Sequence, residues 1–332
     1  MDQKSKSEQS RNEDMALAIG AKKLHEGRQF MYDAAKAYHD TFKDLSTGLY
    51  RQEFLETRSC PVCKSNASKQ IFTADGGVYV KCEPCEMVYL NPVFKDDALT
   101  KFYQNNNEVQ SQVVSNEGDF YRIIYQKGLD AITRTRSSGQ LLDVGCSSGT
   151  FLDLARTAGW QTSGTDLNKA EVKVAISKGH KIYPTVESID SGQKFDAISL
   201  WDVFEHIKDG HRFLTLLKHI LAPGGVIFMQ IPSAGSLAAR IMHDLCKMFD
   251  GLEHVNLYSP STIKKVTEAN GFELKSIESV ISEIPVIANY LGYESPYLGT
   301  VDHHKKILGL IDEETLHQNL LGYKLQVVMQ SR

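Results

Sequence analysis

The chain has 332 residues, of which 42% are hydrophobic, enough for one large core with a smaller unit beside it or for two cores of ordinary size. A formal net charge of −4 excludes holding a polyanion by bulk charge, which argues against nucleic acid and leaves only a local basic patch for it. No apolar run approaches the roughly 20 residues that span a bilayer, and the first residues lack the apolar stretch of a secretory signal, so the expectation is a cytoplasmic protein with no membrane partner.

Residues 1 to about 14 are polar and carry too little apolar surface to order themselves. Between Met15 and Tyr50, the apolar residues Leu24, Met31, Ala35, Tyr38, Phe42 and Leu45 recur at three- and four-residue steps. That spacing predicts one or two amphipathic helices, which pack against the rest of the chain or form an arm for a homodimer. Segment 1–58 is therefore read as a polar tail with a helical extension.

Segment 59–95 differs in kind. Cys60-Pro-Val-Cys63 is followed, after eighteen residues, by Cys82-Glu-Pro-Cys85. Between the pairs, Gln70-Ile-Phe-Thr and Val78-Tyr-Val predict two strands joined by a turn at Asp75-Gly76-Gly77. Two Cys-x-x-Cys knuckles can supply four thiolates to one tetrahedral zinc, and a site closed by four cysteines is structural, because no position stays open for substrate. Iron on the same ligands and a redox dithiol are the alternatives. The remaining Cys146 and Cys246 are read as buried.

Segment 96–138 predicts a helical connector with an Asn-rich interruption at 104–107. From 139 to 332 the pattern alternates strand and helix, the mark of a parallel sheet covered by helices. Expected strands are Leu141–Val144, one ending at Asp166, Phe195–Leu200, Val226–Ile231, Phe272–Val280 and a last one from Tyr323 to Met329, with a helix at Phe151–Ala158. Residues 283–320, carrying Tyr290, Tyr293 and Tyr297, are read as an insertion between the final two strands, able to wall an acceptor pocket or simply to pack.

The segment Leu141-Leu-Asp143-Val-Gly145-Cys146-Ser147-Ser148-Gly149-Thr150-Phe151 joins a strand to a helix through a turn of small residues. Small residues let the backbone approach a ligand closely. The helix N-terminus offers free N–H groups that suit a carboxylate, and Asp143 can organise the loop or receive an ammonium group. Asp166, at the end of the next strand, can take both hydroxyls of a ribose. The segment resembles motif I of the class I S-adenosylmethionine (SAM)-dependent methyltransferases, an acidic residue followed by Gly-x-Gly-x-Gly, with Ser147 in place of the middle glycine. The Gly-x-Gly-x-x-Gly spacing of a nicotinamide-binding turn is absent. Three later segments resemble the same family in order: Phe195–Ile207, Leu221–Phe228, and His254-Val-Asn-Leu-Tyr-Ser-Pro with the helix after it. The resemblance implies a Rossmann-like seven-stranded α/β core with SAM as cofactor. It also implies that Leu167, Val186 and Glu187 lie near the adenine end, and that Leu200 and Trp201 lie near the methionine end, Trp201 being open to a packing role as well.

A zinc ribbon ahead of such a core, ending in Val88-Tyr89-Leu-Asn91-Pro92, resembles a subgroup of enzymes that modify sugars and natural products. That subgroup often has glycine after the second cysteine of each knuckle; here the residues are Lys64 and Glu86. The resemblance implies O-methylation of a small acceptor such as a sugar or sugar nucleotide, with an RNA methyltransferase or a non-catalytic SAM-binding protein as alternatives. Methyl transfer from a sulfonium mainly requires alignment, and a hydroxyl acceptor benefits from a general base. His206, just past the fourth core strand, and His254 are the candidates, each with a packing or capping role as the alternative. Asp202-Val-Phe-Glu205-His206 also resembles the Glu-x-x-Glu-His element of ubiquinone-pathway O-methyltransferases, which implies that Asp202, Glu205 and His206 could hold a divalent ion.

Overall fold

The computed structural model describes residues 36–37, 39–99, 118–292, 309 and 311–332. Leu24, Met31, Ala35, Tyr38, the Asn-rich stretch at 104–107, Tyr293 and Tyr297 lie outside these residues.

The N-terminal part begins with β1 (Leu55–Glu56), the hairpin β2 (Ser68–Ala74) and β3 (Gly77–Cys82), then β4 (Val88–Leu90) and β5 (Val93–Phe94). The hairpin turn falls at Asp75-Gly76, as the sequence pattern predicts. The helical reading does not extend to Tyr50. Residues 41–50 form turns closed by a bridge between Lys43 and Tyr50. The cause is local: the Asp44 carboxylate accepts the N–H groups of Ser46 (2.8 Å) and Thr47 (3.2 Å), an arrangement that competes with a helix. Leu45, expected on the apolar face, is exposed, whereas Phe42 packs edge-on against Phe54 and Phe94.

Helix α1 (Gly118–Thr135) leads into the α/β part, which contains β6 (Gln140–Val144), α2 (Thr150–Thr157), β7 (Gln161–Thr165), α3 (Lys169–Ser177), β8 (Lys181–Tyr183), β9 (Phe195–Trp201), α4 (Gly210–Ile220) and β10 (Leu221–Pro232). It continues with α5 (Leu237–Met242), β11 (Asn256–Leu257), α6 (Pro260–Ala269), β12 (Phe272–Val280), α7 (Ile284–Leu291), α8 (Glu313–Gln318) and β13 (Lys324–Ser331). Helix starts follow side-chain capping chemistry: Asn168, Asp209, Ser236 and Ser259 each accept N–H groups of the first turn, and Pro260 opens α6.

Seven strands form one sheet in the order β12-β13-β10-β9-β6-β7-β8. All neighbours from β10 to β8 are parallel, and β13 runs antiparallel between β10 and β12. The central strands β9 and β10 are buried along nearly their whole length, as a sheet covered on both faces requires. The chain begins in the middle at β6, proceeds outward to β7 and β8, then returns to β9 on the other flank. The strand order therefore reverses between β6 and β9, and the crevice beyond their C-terminal ends is where such sheets bind ligands.

A second sheet has the order β11-β4-β3-β2. Its fourth strand, β11, comes from the loop after α5, so the cysteine-bearing hairpin shares a sheet with the α/β part rather than hanging from it.

Candidate functional site

Beyond β6 the chain turns through Gly145 (φ 78°), Ser147 (φ 47°) and Gly149 (φ 81°) into α2. A Cβ on Gly145 would stand 2.7 Å from Val203 Cγ2, so this position excludes a side chain. Ser147 adopts a left-handed backbone at the position where the motif usually has glycine, a strain of about 1–2 kcal/mol for a residue with a Cβ. Two bonds hold it there: its N–H donates to Asp166 Oδ2 (2.8 Å) and its hydroxyl donates to Glu171 Oε2 (3.0 Å). The N–H groups of Gly145 and Cys146 both donate to the Thr165 carbonyl (2.8 and 3.0 Å), tying the turn to the end of β7. Cys146 is buried.

Asp166 also accepts the N–H of Asn168 (2.7 Å), which fixes its carboxylate at the tip of β7, beside the Gly145–Gly149 turn. The next residue, Leu167, is 78% exposed, an apolar side chain offered to solvent at the strand end. Asp143 is buried and accepts the Ser199 hydroxyl (2.7 Å). Burial pushes its carboxyl up to about 8, with the Asp166 charge adding to that shift and the Ser199 bond opposing it. Val186 is buried and Glu187 exposed in the short turn Val186–Ser188 that follows β8. Leu200 is fully buried in β9. The Trp201 ring is committed to the core: it packs on Tyr125, Phe151 and Phe228 with centroids 4.7, 4.9 and 4.6 Å away.

The end of β9 builds the other wall. Asp202 has a left-handed backbone (φ 54°) and its N–H donates to the Gln230 carbonyl (3.0 Å). Its carboxylate is ion-paired with Lys324 and accepts from Gln230 Nε2 (3.3 Å). Burial is the largest single influence on the Lys324 ammonium and would lower it, but the Asp202 charge and hydrogen bond, together with Tyr121 and Glu205, outweigh burial and hold the group above the ordinary lysine range. A short turn, Phe204–His206, then carries Glu205 and His206 inward. Glu205 is fully buried and neither carboxylate oxygen has a hydrogen-bond partner. Burial, reinforced by the Asp202 charge, pushes its carboxyl well above the usual range.

His206 and His254 face each other with ring centroids 5.0 Å apart. Burial, then the neighbouring His254, pulls the His206 imidazole down to about 4, so it is neutral at neutral pH. His254 Nδ1 donates to the Met248 carbonyl (2.8 Å) and lies 3.3 Å from the Asp250 carboxylate. Glu205, His206 and His254 thus converge, with one ligand atom from each within 4.8 Å of the others. Asp202, expected from the sequence beside Glu205 and His206, turns to Lys324, and His254 stands with the other two instead. No local pattern marks that exchange, because Lys324 and His254 reach the site from distant parts of the chain.

The four cysteines of the knuckles converge as well. Cys60 Sγ and Cys85 Sγ stand 3.5 Å apart, as do Cys63 Sγ and Cys82 Sγ, and all four are free thiols whose sulfurs lie within 4.8 Å of one another. A disulfide would need about 2.05 Å. Tetrahedral zinc with bonds of about 2.3 Å separates its sulfurs by roughly 3.8 Å, so the set fits that ion. Lys64 (φ 61°) and Glu86 (φ 66°) adopt the left-handed backbone that glycine usually supplies, and their N–H groups close the knuckles on the Cys60 and Cys82 carbonyls (3.0 and 2.9 Å).

Sequence reasoning missed the residue that joins the two regions. Arg58, two positions before the first cysteine, donates to the carbonyls of Leu90 (3.1 Å), Lys208 (3.2 Å) and Val255 (2.6 Å) and to Asn256 Oδ1 (2.8 Å). Burial lowers its guanidinium to about 10, which leaves it charged at neutral pH. Asn256 in turn donates to the Ile207 carbonyl (2.7 Å). One half-buried cation therefore pins the loop after His206 and the loop after His254 to the cysteine sheet.

Residues 117–277, a segment that spans the turn, Asp166 and the two histidines, match a family model described as a methyltransferase domain. Among curated proteins, the chain is 24% identical over 149 residues to a ubiquinone biosynthesis O-methyltransferase of Rhizobium leguminosarum bv. trifolii, covering 41% of this chain and 59% of that protein. It is 28% identical over 178 residues to the ubiquinone biosynthesis O-methyltransferase of Idiomarina loihiensis, covering 46% and 72%. The chain spans about three fifths of the length of the first of these relatives. Among solved structures, a SAM dependent methyltransferase from Archaeoglobus fulgidus aligns with a TM-score of 0.45 at 18% identity, over 63% of this chain and 94% of that one. No helix among the described residues is long and apolar enough to cross a membrane.

Proposed function

We propose that the chain is a SAM-dependent methyltransferase that O-methylates a small hydroxylated acceptor, and that its four cysteines hold a structural zinc. One observation carries the reading: the left-handed turn from Gly145 to Gly149 and the Asp166 carboxylate are locked to each other at the point where the strand order reverses. In that arrangement the α2 N-terminus takes the cofactor's carboxylate, Asp143 faces its ammonium side, Asp166 takes the ribose hydroxyls and Leu167 covers the adenine. Val186 and Glu187 flank the adenine from the turn after β8, and Leu200 supports the methionine end from beneath.

The acceptor enters against His206 and His254. Transfer breaks the sulfonium C–S bond, whose electrons return to sulfur, and forms an O–C bond; the acceptor's proton leaves to a base or to water. The neutral His206 imidazole can receive it, and the His254 ring beside it is the second candidate. The names of the curated relatives favour a hydroxyl acceptor. The ribbon arrangement, by its resemblance, favours a sugar or natural product.

Calorimetry of the full chain with SAM and with its demethylated product tests the cofactor half. Binding of both is expected, and absence of heat with either on folded protein would overturn the reading. A screen of hydroxylated sugars, sugar nucleotides and phenols with radiolabelled SAM tests the acceptor half. His206→Ala is expected to lower turnover more than SAM affinity; unchanged turnover would remove His206 as the base.

A further inference from the structure

We infer that Glu171 is a positioning residue for the cofactor: its carboxylate latches the Ser147 hydroxyl and so holds the Gly145–Gly149 turn in its binding shape before any cofactor arrives. The latch stands on the geometry of the turn; its effect on affinity rests on the SAM reading above.

Three residues from Gly145 to Gly149 have a left-handed backbone, and Ser147 alone among them carries a Cβ. A residue with a Cβ leaves that region unless something retains it, whereas glycine stays there without steric cost but visits many other shapes. Ser147 is retained through backbone and side chain together. Its N–H donates to Asp166 Oδ2 (2.8 Å) and its hydroxyl donates to Glu171 Oε2 (3.0 Å). Hydrogen bonds to a carboxylate are the stronger kind, and the Glu171 carboxylate is buried, which strengthens this one further.

These bonds close a ring. Asp166 Oδ1 accepts the N–H of Asn168 (2.7 Å), and Asn168 Oδ1 caps α3 by accepting the N–H of Ala170 (3.0 Å). The first turn of α3 then returns Glu171 to Ser147. One side chain therefore sets the turn and Asp166, the proposed ribose ligand, against each other. A glycine at position 147 would leave more of that ordering to the ligand, whereas the ring completes it in advance and lowers the entropic cost of binding.

The test titrates SAM and its demethylated product calorimetrically into the full chain and its variants, and follows amide exchange at position 147 in ligand-free protein. Ser147→Ala keeps the strained backbone and deletes the hydroxyl. It and Glu171→Ala should each weaken SAM binding about tenfold and speed exchange at position 147 by a similar factor. Glu171→Gln still offers an acceptor oxygen and should stay within about threefold of wild type. Ser147→Gly loses hydroxyl and strain together and should fall between, and adding Glu171→Ala to it should change nothing further. Equal losses from Glu171→Ala with and without Ser147→Gly would show that Glu171 serves the fold alone, and would overturn the latch. A Ser147→Ala protein that binds SAM as wild type does would overturn it too, even if Glu171→Ala does not fold. A folded wild type that ignores SAM, while exchange at position 147 still depends on Glu171, would leave the latch standing and remove the methyl-transfer reading.

Discussion

The two halves of the crevice are built in opposite ways. The edge proposed for the cofactor is local: from Asp143 to Glu171 a single stretch of chain supplies the turn, the carboxylate and the bonds that hold them, and Ser199 is the one outside partner described above. The wall proposed for the acceptor is assembled from afar. Arg58, the Phe204–His206 turn, the loop from Met248 to Asn256 and Lys324 meet only after the whole domain and the cysteine sheet have formed. A short-range motif carries its own geometry, so it can tolerate damage elsewhere. A wall held by long-range contacts inherits the stability of every element that contributes to it.

Loss of the ribbon metal should separate the halves most sharply. Structural zinc contributes on the order of 10 kcal/mol to small modules, so Cys82→Ser with Cys85→Ser is expected to abolish hydrogen-exchange protection across β2, β3 and β4. Protection of β11 and the His254 loop should go with it, because β11 pairs with β4. SAM affinity is expected to change less than about threefold. A SAM affinity that fell together with ribbon protection would show that the halves are one unit, and would break the comparison.

Arg58→Ala makes the same cut with a single side chain. It removes four hydrogen bonds made by a half-buried cation to three segments. Leaving those acceptors unmet is expected to lower stability by about 3 kcal/mol in denaturant titration. Turnover should fall with it as the two histidine loops drift, while the SAM dissociation constant holds. Equal losses in SAM binding and turnover would mean that Arg58 supports the whole domain rather than its acceptor side.

The same contrast explains what the sequence made legible. Strand and helix positions from Leu141 to Val280 follow from periodicity and from turn residues, and the Gly145–Gly149 turn announces itself because small residues must cluster where the backbone reverses. The cysteine spacing is legible for a similar reason, since a knuckle is a local shape. Arg58 was invisible: an arginine in a polar stretch usually meets solvent, and only the fold shows three carbonyls waiting for it. The spacing of Asp202, Glu205 and His206 could not show that Lys324, from the last strand, pairs with the Asp202 carboxylate. The helical pattern around Leu45 misled, because periodicity cannot report that Asp44 will cap the backbone instead.

On the cofactor side, Asp166→Ala should lower SAM affinity about thirtyfold, near 2 kcal/mol, by removing the charged acceptor of the ribose hydroxyls and loosening Ser147. Its effect on the stability of the acceptor wall is expected to be negligible. Ribbon protection measured by hydrogen exchange should match wild type, and a loss there would contradict the locality of the motif.

The smallest effect concerns Asp143, whose buried carboxyl is pushed up to about 8. A raised carboxylate in the folded protein means that the empty protein holds a proton more tightly than the unfolded chain does. Folding stability from this group is therefore greatest at low pH and declines as pH rises from about 4 toward 8. A bound cationic cofactor favours the ionised form, so binding releases that proton, and affinity should climb by about fivefold from pH 7 to pH 8 and flatten above it. The cofactor's own ammonium loses its proton near the upper end of this range and works against the climb. Asp143→Asn separates the two terms: it keeps the ammonium effect and removes the carboxyl, so its affinity should be level or falling where the wild type rises. Parallel profiles for the two proteins would show that Asp143 does not sense the cofactor's charge, and would leave it as a scaffold for Ser199 and the turn.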